Sequence, residues 1–185
     1  MRQKIIQSGN PILRTVSKDV EKVDKRILKL IQDLKDTLAV QKEPEGVGLA
    51  APQIGRNLRV FIAQYKQASL QNGKEFNRVV VNPKIIEETT APATKKGKKS
   101  KNEILEGCLS LPFYYGPLKR SKSVKLEYMN EKGEKVIETF TDFNAQIILH
   151  EIDPLNGILF IDHLLQEKKP LYKVENDEWE EVELT

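Results

Sequence analysis

One cysteine in 185 residues, Cys108, is the strongest constraint on what this chain can fold into. It excludes an internal disulfide and any multi-cysteine zinc site, so buried apolar surface must hold the fold together. A chain of this length buries roughly 70% of its unfolded surface and needs no covalent staple. His150 and His163 are the only histidines, which caps any imidazole metal site at two nitrogens. Hydrophobic residues at 39% with 31% charged exclude a disordered or membrane-embedded class. No apolar run approaches the length of a membrane span, so no membrane partner is expected. The start, MRQKIIQSGNPIL, has neither a signal peptide's apolar stretch nor an Arg/Ser-rich presequence. A reducing cytoplasm is the expected compartment, with an organelle also open.

Charge is segregated along the chain. Lys95, Lys96, Lys98, Lys99 and Lys101 crowd one run, and without them the net +3 turns negative. Glu175, Asp177, Glu178, Glu180, Glu181 and Glu183 crowd the tail. A DNA binder would spread basic and aromatic residues over a face, so no DNA partner is expected. The lysine run reads as a solvated loop, an insertion at about 89–103 within one domain spanning 1–185. A tether to the ribosome's anionic surface is the sharper reading.

Apolar residues Ile27, Leu28, Ile31, Leu34 and Leu38 recur at helical spacing behind Asp24, a fitting N-cap, and predict a helix ending near Lys42. The Gly- and Ala-rich stretch Gly46–Gly55 reads as a loop. Arg59–Gln64 and Arg78–Val81 read as strands joined through a turn at Gln71-Asn72-Gly73. Ser123–Tyr128 and Lys135–Phe140 alternate around a turn at Asn130–Gly133 and predict a hairpin. Ala145–Ile152 reads as a helix with a broad apolar face. Leu171–Val174 and Trp179–Leu184 alternate around Asn176-Asp177 as a terminal hairpin, with Trp179 its packing residue. Helices and strands mix without βαβ alternation, so the class is α+β.

Three segments carry chemistry together. His150-Glu151 is the opening of H-E-x-x-H, in which histidines one helical turn apart face a metal and the glutamate is general base. Here the fifth position is Pro154. Alone, such a pair is usually structural; alone, Cys108 would be a buried inert thiol and Gln53 a surface amide. Their company changes the reading. Gly46-x-Gly-Leu-Ala-Ala-x-Gln53, Glu106-Gly-Cys-Leu-Ser110 and His150-Glu-x-Asp followed by Leu155-Asn-Gly157 resemble the signature set of the peptide deformylases, in that order and spacing.

The resemblance implies a fold of antiparallel sheets around a central metal-site helix, with an N-terminal helix and a C-terminal β-hairpin. It implies hydrolytic removal of the formyl group from N-formylmethionine of newly made proteins, a step of N-terminal methionine processing. The family's metal is ferrous iron, with nickel, cobalt or zinc as substitutes, held by one cysteine and two histidines. Carried over, Cys108 and His150 are ligands and Glu151 moves the proton. Gln53 and the Leu109 N–H serve the oxyanion. Gly46, Val47 and Gly48 pair with the substrate backbone as an added strand, and Val47, Leu49 and Ile147 wall the methionine pocket.

Pro154 departs from that pattern, standing where the second histidine ligand belongs. Proline offers a metal no lone pair, lacks the N–H that would bond the His150 carbonyl, and is expected to displace that helical turn. Asp153, at i+3 from His150, and His163 are the side chains that could substitute. Otherwise His163 reads as structural and Arg120 as an ion-pair partner. Beside metal hydrolysis, two readings stay open. One is a relative that binds formylmethionyl peptides or the ribosome with little or no turnover. The other is a metal-free hydrolase with Cys108 as nucleophile and His150 as base.

Overall fold

The computed structural model describes residues 1–66, 75–89 and 104–184. The turn at 71–73 and the lysine run at 95–101 lie outside the described residues, as does the insertion apart from Thr89.

The N-terminal helix α1 spans Lys25–Leu38, and Asp24 caps it by accepting from the N–H groups of Arg26 and Ile27. It stops short of Lys42 because the apolar spacing ends at Leu38 and the chain turns to bridge Lys42 with Glu45. Ile27, Leu30, Ile31, Leu34 and Leu38 are buried, whereas Leu28, expected in the stripe, is 46% exposed.

Five strands form an antiparallel sheet in the order β1-β2-β3-β6-β7: Gly48–Ala50, Val60–Lys66, Glu75–Thr89, Ser123–Met129 and Lys135–Thr141. Val60-Phe61-Ile62-Ala63 is an unbroken apolar run because both sheet faces are covered there. Val60 and Ile62 pack toward α1, Phe61 and Ala63 toward helix α2, Asp142–Leu155. The stretch read as a loop is strand β1 followed by a 3-10 turn, Ala51–Ile54. Pairing with β2 through Gly48–Ala63 and Ala50–Phe61 overrides the poor strand propensity of glycine and alanine. Strand β3 runs far past Val81. It bulges at Asn82-Pro83, where the Asn82 amide both accepts from and donates to the Val20 backbone at 2.8 Å.

A second antiparallel sheet, β4-β5-β8-β9, comprises Ile104–Cys108, Leu111–Leu118, Leu171–Glu175 and Glu178–Val182. Its core of Cys108, Leu118, Phe160, Leu164 and Leu171 is closed by α3, Phe160–Glu167, a helix the sequence reading did not single out. The terminal hairpin turns at Asn176-Asp177, both at positive φ. Trp179 is 54% exposed, with its ring against Tyr115 and Tyr172.

Pro154 does not displace the helix. Helix α2 continues through it to Leu155. The residue lies in the last turn, so the missing N–H removes one bond at the end of the ladder, and no following turn has to absorb a kink. Asn156 and Gly157 then close the helix by donating to the carbonyls of Asp153 and Pro154.

Ile148 on α2 is fully buried against the large sheet. Ile148→Ala should lower unfolding free energy by about 2–5 kcal/mol. Ile137→Ala, on the exposed side of β7, should change it by less than about 0.5 kcal/mol. Urea denaturation with unchanged slope checks both.

Candidate active site

A cavity of about 280 Å³ lies where the two sheets meet. Its walls bring together Gly46, Val47 and Gly48 from β1 and its approach, Gln53 from the 3-10 turn, Cys108 and Leu109 from the β4–β5 turn, and Ile147, His150 and Glu151 from α2. Leu49 is not among them. Successive side chains of a strand alternate, so Gly48 and Ala50 face α2 while Leu49 is buried against α1. The sequence placed Leu49 in the pocket wall, and this alternation corrects it. Ile104, Leu105, Tyr114, Tyr115, Phe113 and Phe143 complete the apolar lining, unmarked by any motif.

Each polar group is oriented by a second contact. The Gln53 side-chain oxygen accepts from the Ala50 N–H at 2.7 Å, which turns its Nε2 toward Cys108 Sγ at 3.4 Å and Ser110 Oγ at 3.2 Å. The N-terminal segment braces both loops, with Ile6 N–H donating to the Gln53 carbonyl and Ser8 N–H to the Ser110 carbonyl. Cys108 ends β4 just before the two-residue turn Leu109-Ser110, which sets its sulfur beside the helix. His150 Nδ1 lies 3.0 Å from Glu106 Oε2, and the Cys108 thiol lies beside the same imidazole at the cavity wall. Burial pulls the His150 imidazolium down, but those two contacts outweigh it and hold the ring's affinity for a proton well above the usual value.

Glu151 occupies the opposite situation. Its carboxyl is enclosed, Oε2 has no hydrogen-bond partner, and burial pushes it up to about 7. A Cβ on Gly48 would collide with this carboxyl, so only glycine lets β1 pass so close.

Behind the cavity runs a buried polar chain. Glu106 accepts from Arg120 Nε at 2.6 Å, Arg120 Nη2 at 2.8 Å and Gln146 Nε2 at 3.0 Å. Burial pushes the Glu106 carboxyl up, but its His150 and Arg120 contacts prevail and hold it well below the carboxylate range. Arg120 Nη1 also meets Asp153 Oδ2 at 2.9 Å, and His163 Nε2 meets the same oxygen at 2.8 Å. Arg120 is thus the ion-pair partner expected of it. Gln146 was missed, although its position one helical turn before His150 was a usable signal.

An α+β fold that sets a helix-borne His–Glu pair against a strand-end cysteine has the layout of a small hydrolase, and comparison with known proteins makes the class specific. The family profile described as Polypeptide deformylase matches residues 2–170. The chain is 44% identical to the peptide deformylase of Pseudothermotoga lettingae over 163 residues, 88% of this chain and 82% of that one. The Ehrlichia chaffeensis peptide deformylase structure matches with a TM-score of 0.76 and 28% identity, covering 91% of this chain and 90% of that one. The class I type b peptide deformylase of Acinetobacter baumannii, solved with Met-Ala-Ser bound, matches at 0.73 and 31%, covering 88% and 98%. The chain belongs to the peptide deformylase family. Its reaction is hydrolytic removal of the formyl group from N-formylmethionine peptides, and its substrates are formylated nascent chains. Among the described residues, no helix is long and apolar enough to cross a membrane.

The family uses a divalent metal. The donors here do not match a three-ligand ion. Cys108 and His150 line the cavity, Pro154 supplies no donor, and Asp153 and His163 bond each other outside the cavity wall. Glu106 is committed to Arg120. Among the described residues, no three His, Cys, Asp or Glu side chains are placed to hold one ion.

Removing Arg120 would leave Glu106 and Asp153 buried without their cation. Arg120→Met should destabilise the fold by about 3–5 kcal/mol in urea denaturation. The His163–Asp153 contact has its own signature. Asp153 raises the His163 imidazolium above its ordinary value, with burial opposing. The folded state therefore binds the proton more tightly, and the gain is complete below the unfolded value of about 6.5 and lost as pH rises through the folded one. Urea midpoints for His163→Gln should fall furthest below the parent's in acid and converge with them at alkaline pH.

Proposed function

We propose that Glu151 is the proton carrier of deformylation, taking a proton from the hydrolytic water and passing it to the departing methionine amine. The observation that carries this role is the enclosed carboxyl with one oxygen unpartnered at the cavity wall. Such a group holds either protonation state near neutrality and has no competing partner. Gln53 Nε2, fixed by the Ala50 contact, and the Leu109 N–H serve the oxyanion that forms at the formyl carbon.

The substrate enters as a strand. Strand β1 ends the large sheet and β4 ends the small one, and both edges border the cavity. An extended peptide placed between them finds backbone partners in Gly46, Val47 and Gly48. The methionine side chain then meets Val47 and Ile147. A bound Met-Ala-Ser in the Acinetobacter baumannii relative supports a tripeptide-sized site.

Of the divalent ions the resemblance implies, ferrous iron comes first. With Cys108 and His150 as its side-chain donors, occupancy falls below one ion per chain. Completing the donor set by Pro154→His should raise retained metal toward one per chain, read by elemental analysis after dialysis.

Formate release from formyl-Met-Ala-Ser tests the central role. Glu151→Gln preserves shape and should lower kcat by roughly 10²-fold or more with KM little changed. Undiminished turnover in that variant would remove Glu151 from the mechanism.

A further inference from the structure

The small sheet has a covered face and an open one. Residues directly opposite on neighbouring strands point to the same side, and positions two apart share it. Tyr115 pairs with Gly107 on β4 and with Tyr172 on β8, and Val174 pairs with Trp179 on β9. Leu105, Tyr115, Tyr172, Val174 and Trp179 therefore share one face, while Leu118 and Leu171 turn to the core beneath α3. Leu105 and Trp179 stay about half exposed, and an apolar patch left open in this way marks a contact surface. What covers it follows from where it begins. Leu105 and Tyr115 are also walls of the cavity, whose groups Gln53, Cys108 and Glu151 are buried. The Tyr115 ring lies over Gly107, where a Cβ would approach it to 2.7 Å, and its centroid stands 5.5 Å from that of Trp179. Trp179 then meets Tyr172 at 6.3 Å. Cavity wall and aromatic platform are one continuous surface. Glu181, opposite Tyr172 on the same face, sets a negative charge beside the rings.

We propose that this face receives the downstream segment of the nascent chain, with Trp179 packing on an apolar side chain and Glu181 favouring a basic neighbour. The proposal rests on the deformylase reading and extends the substrate beyond the tripeptide placed in the cleft. A formylated chain end reaches the buried groups with its first residues, and the residues behind them leave past the exposed rim at Leu105. Strands lie roughly 4.8 Å apart, so β9 is about 14 Å from β4, a span of about four extended residues. With three residues in the cleft, roughly the sixth and seventh are those that meet Trp179 and Glu181. Aromatic contact of this kind is geometric and tolerant of sequence, which suits an enzyme whose substrates share only their first residue.

Trp179 is the only tryptophan of the chain, so its emission reports the face directly. The full chain is titrated with Met-Ala-Ser-Gly-Ser-Phe-Lys, with the same heptapeptide ending in Gly-Glu, and with Met-Ala-Ser, none of which carries a formyl group to remove. The Phe-Lys peptide should shift Trp179 emission to shorter wavelength and saturate, and the other two should leave it in place. Formate release is then measured on the formylated peptides with ferrous iron supplied anaerobically. KM should be about 3–10-fold lower for the Phe-Lys heptapeptide than for the tripeptide. Trp179→Ala should bring that ratio close to one, and Trp179→Phe should keep most of it. A merely structural role for the ring would lower turnover of both peptides and leave the ratio unchanged. An emission shift that is absent with the Phe-Lys peptide or equal with all three, or a ratio that survives Trp179→Ala, would overturn the proposal while leaving deformylation intact. Emission that moves on dilution of the protein without peptide would give the face to a second copy of this chain and overturn the proposal too. Formate released from no peptide would overturn the deformylase reading, and the titration with unformylated peptides would still decide what the face binds.

Discussion

A single carboxylate, that of Glu106, ties the two halves of the molecule together at the point where chemistry occurs. It sits on β4 of the small sheet, yet its hydrogen bonds reach Arg120 beyond β5 and Gln146 and His150 on α2. Burying a carboxylate is costly unless its lone pairs are satisfied, and here four donors converge on two oxygens. The arrangement sets the rotation of the His150 ring by claiming Nδ1, which leaves the other nitrogen for the cavity. It also explains why Cys108, two residues further along the same strand, arrives within reach of that ring.

Pro154 shows how position decides the cost of a substitution. In the middle of α2 a proline would break the ladder and turn His150 and Glu151 away from Cys108. In the final turn it removes a side-chain donor and one backbone bond while the helix holds both residues in place. The shell that would orient a metal-bound histidine is intact, whereas the third ligand is missing. Cys108, His150 and Glu151 therefore stay together at one cavity wall despite the substitution.

Much of this was legible in the residues because local rules and tertiary packing agree. Asp24 caps α1, the Ser123–Phe140 hairpin alternates as read, and the Asn176-Asp177 turn closes the tail. Gly48, Gln53, Cys108, Leu109, His150 and Glu151 share one cavity. Legibility failed where geometry depends on a partner far along the chain. Leu49 could not be assigned a side until β1 was known to be a strand with helices on both its faces. The Gly46–Gly55 stretch gained its strand from β2, and α3 owes its place to the core of the small sheet. The pairing of Arg120 with both Glu106 and Asp153 joins residues whose spacing follows no helical or strand period.

The open edges of β1 and β4 have a consequence for how the protein behaves in company. Unpaired strand edges recruit other chains, and proteins usually blunt them with charge. The outer edge β9 follows that rule with Glu178, Glu180 and Glu181, and β7 does so with Lys135 and Glu138. The edges beside the cavity cannot be guarded that way without repelling the backbone they must receive. They are kept short instead, three residues in β1 and five in β4, and lie at the cavity wall. Edges this short give a folded sheet little to pair with, so resistance to edge-to-edge association comes from length where it cannot come from charge.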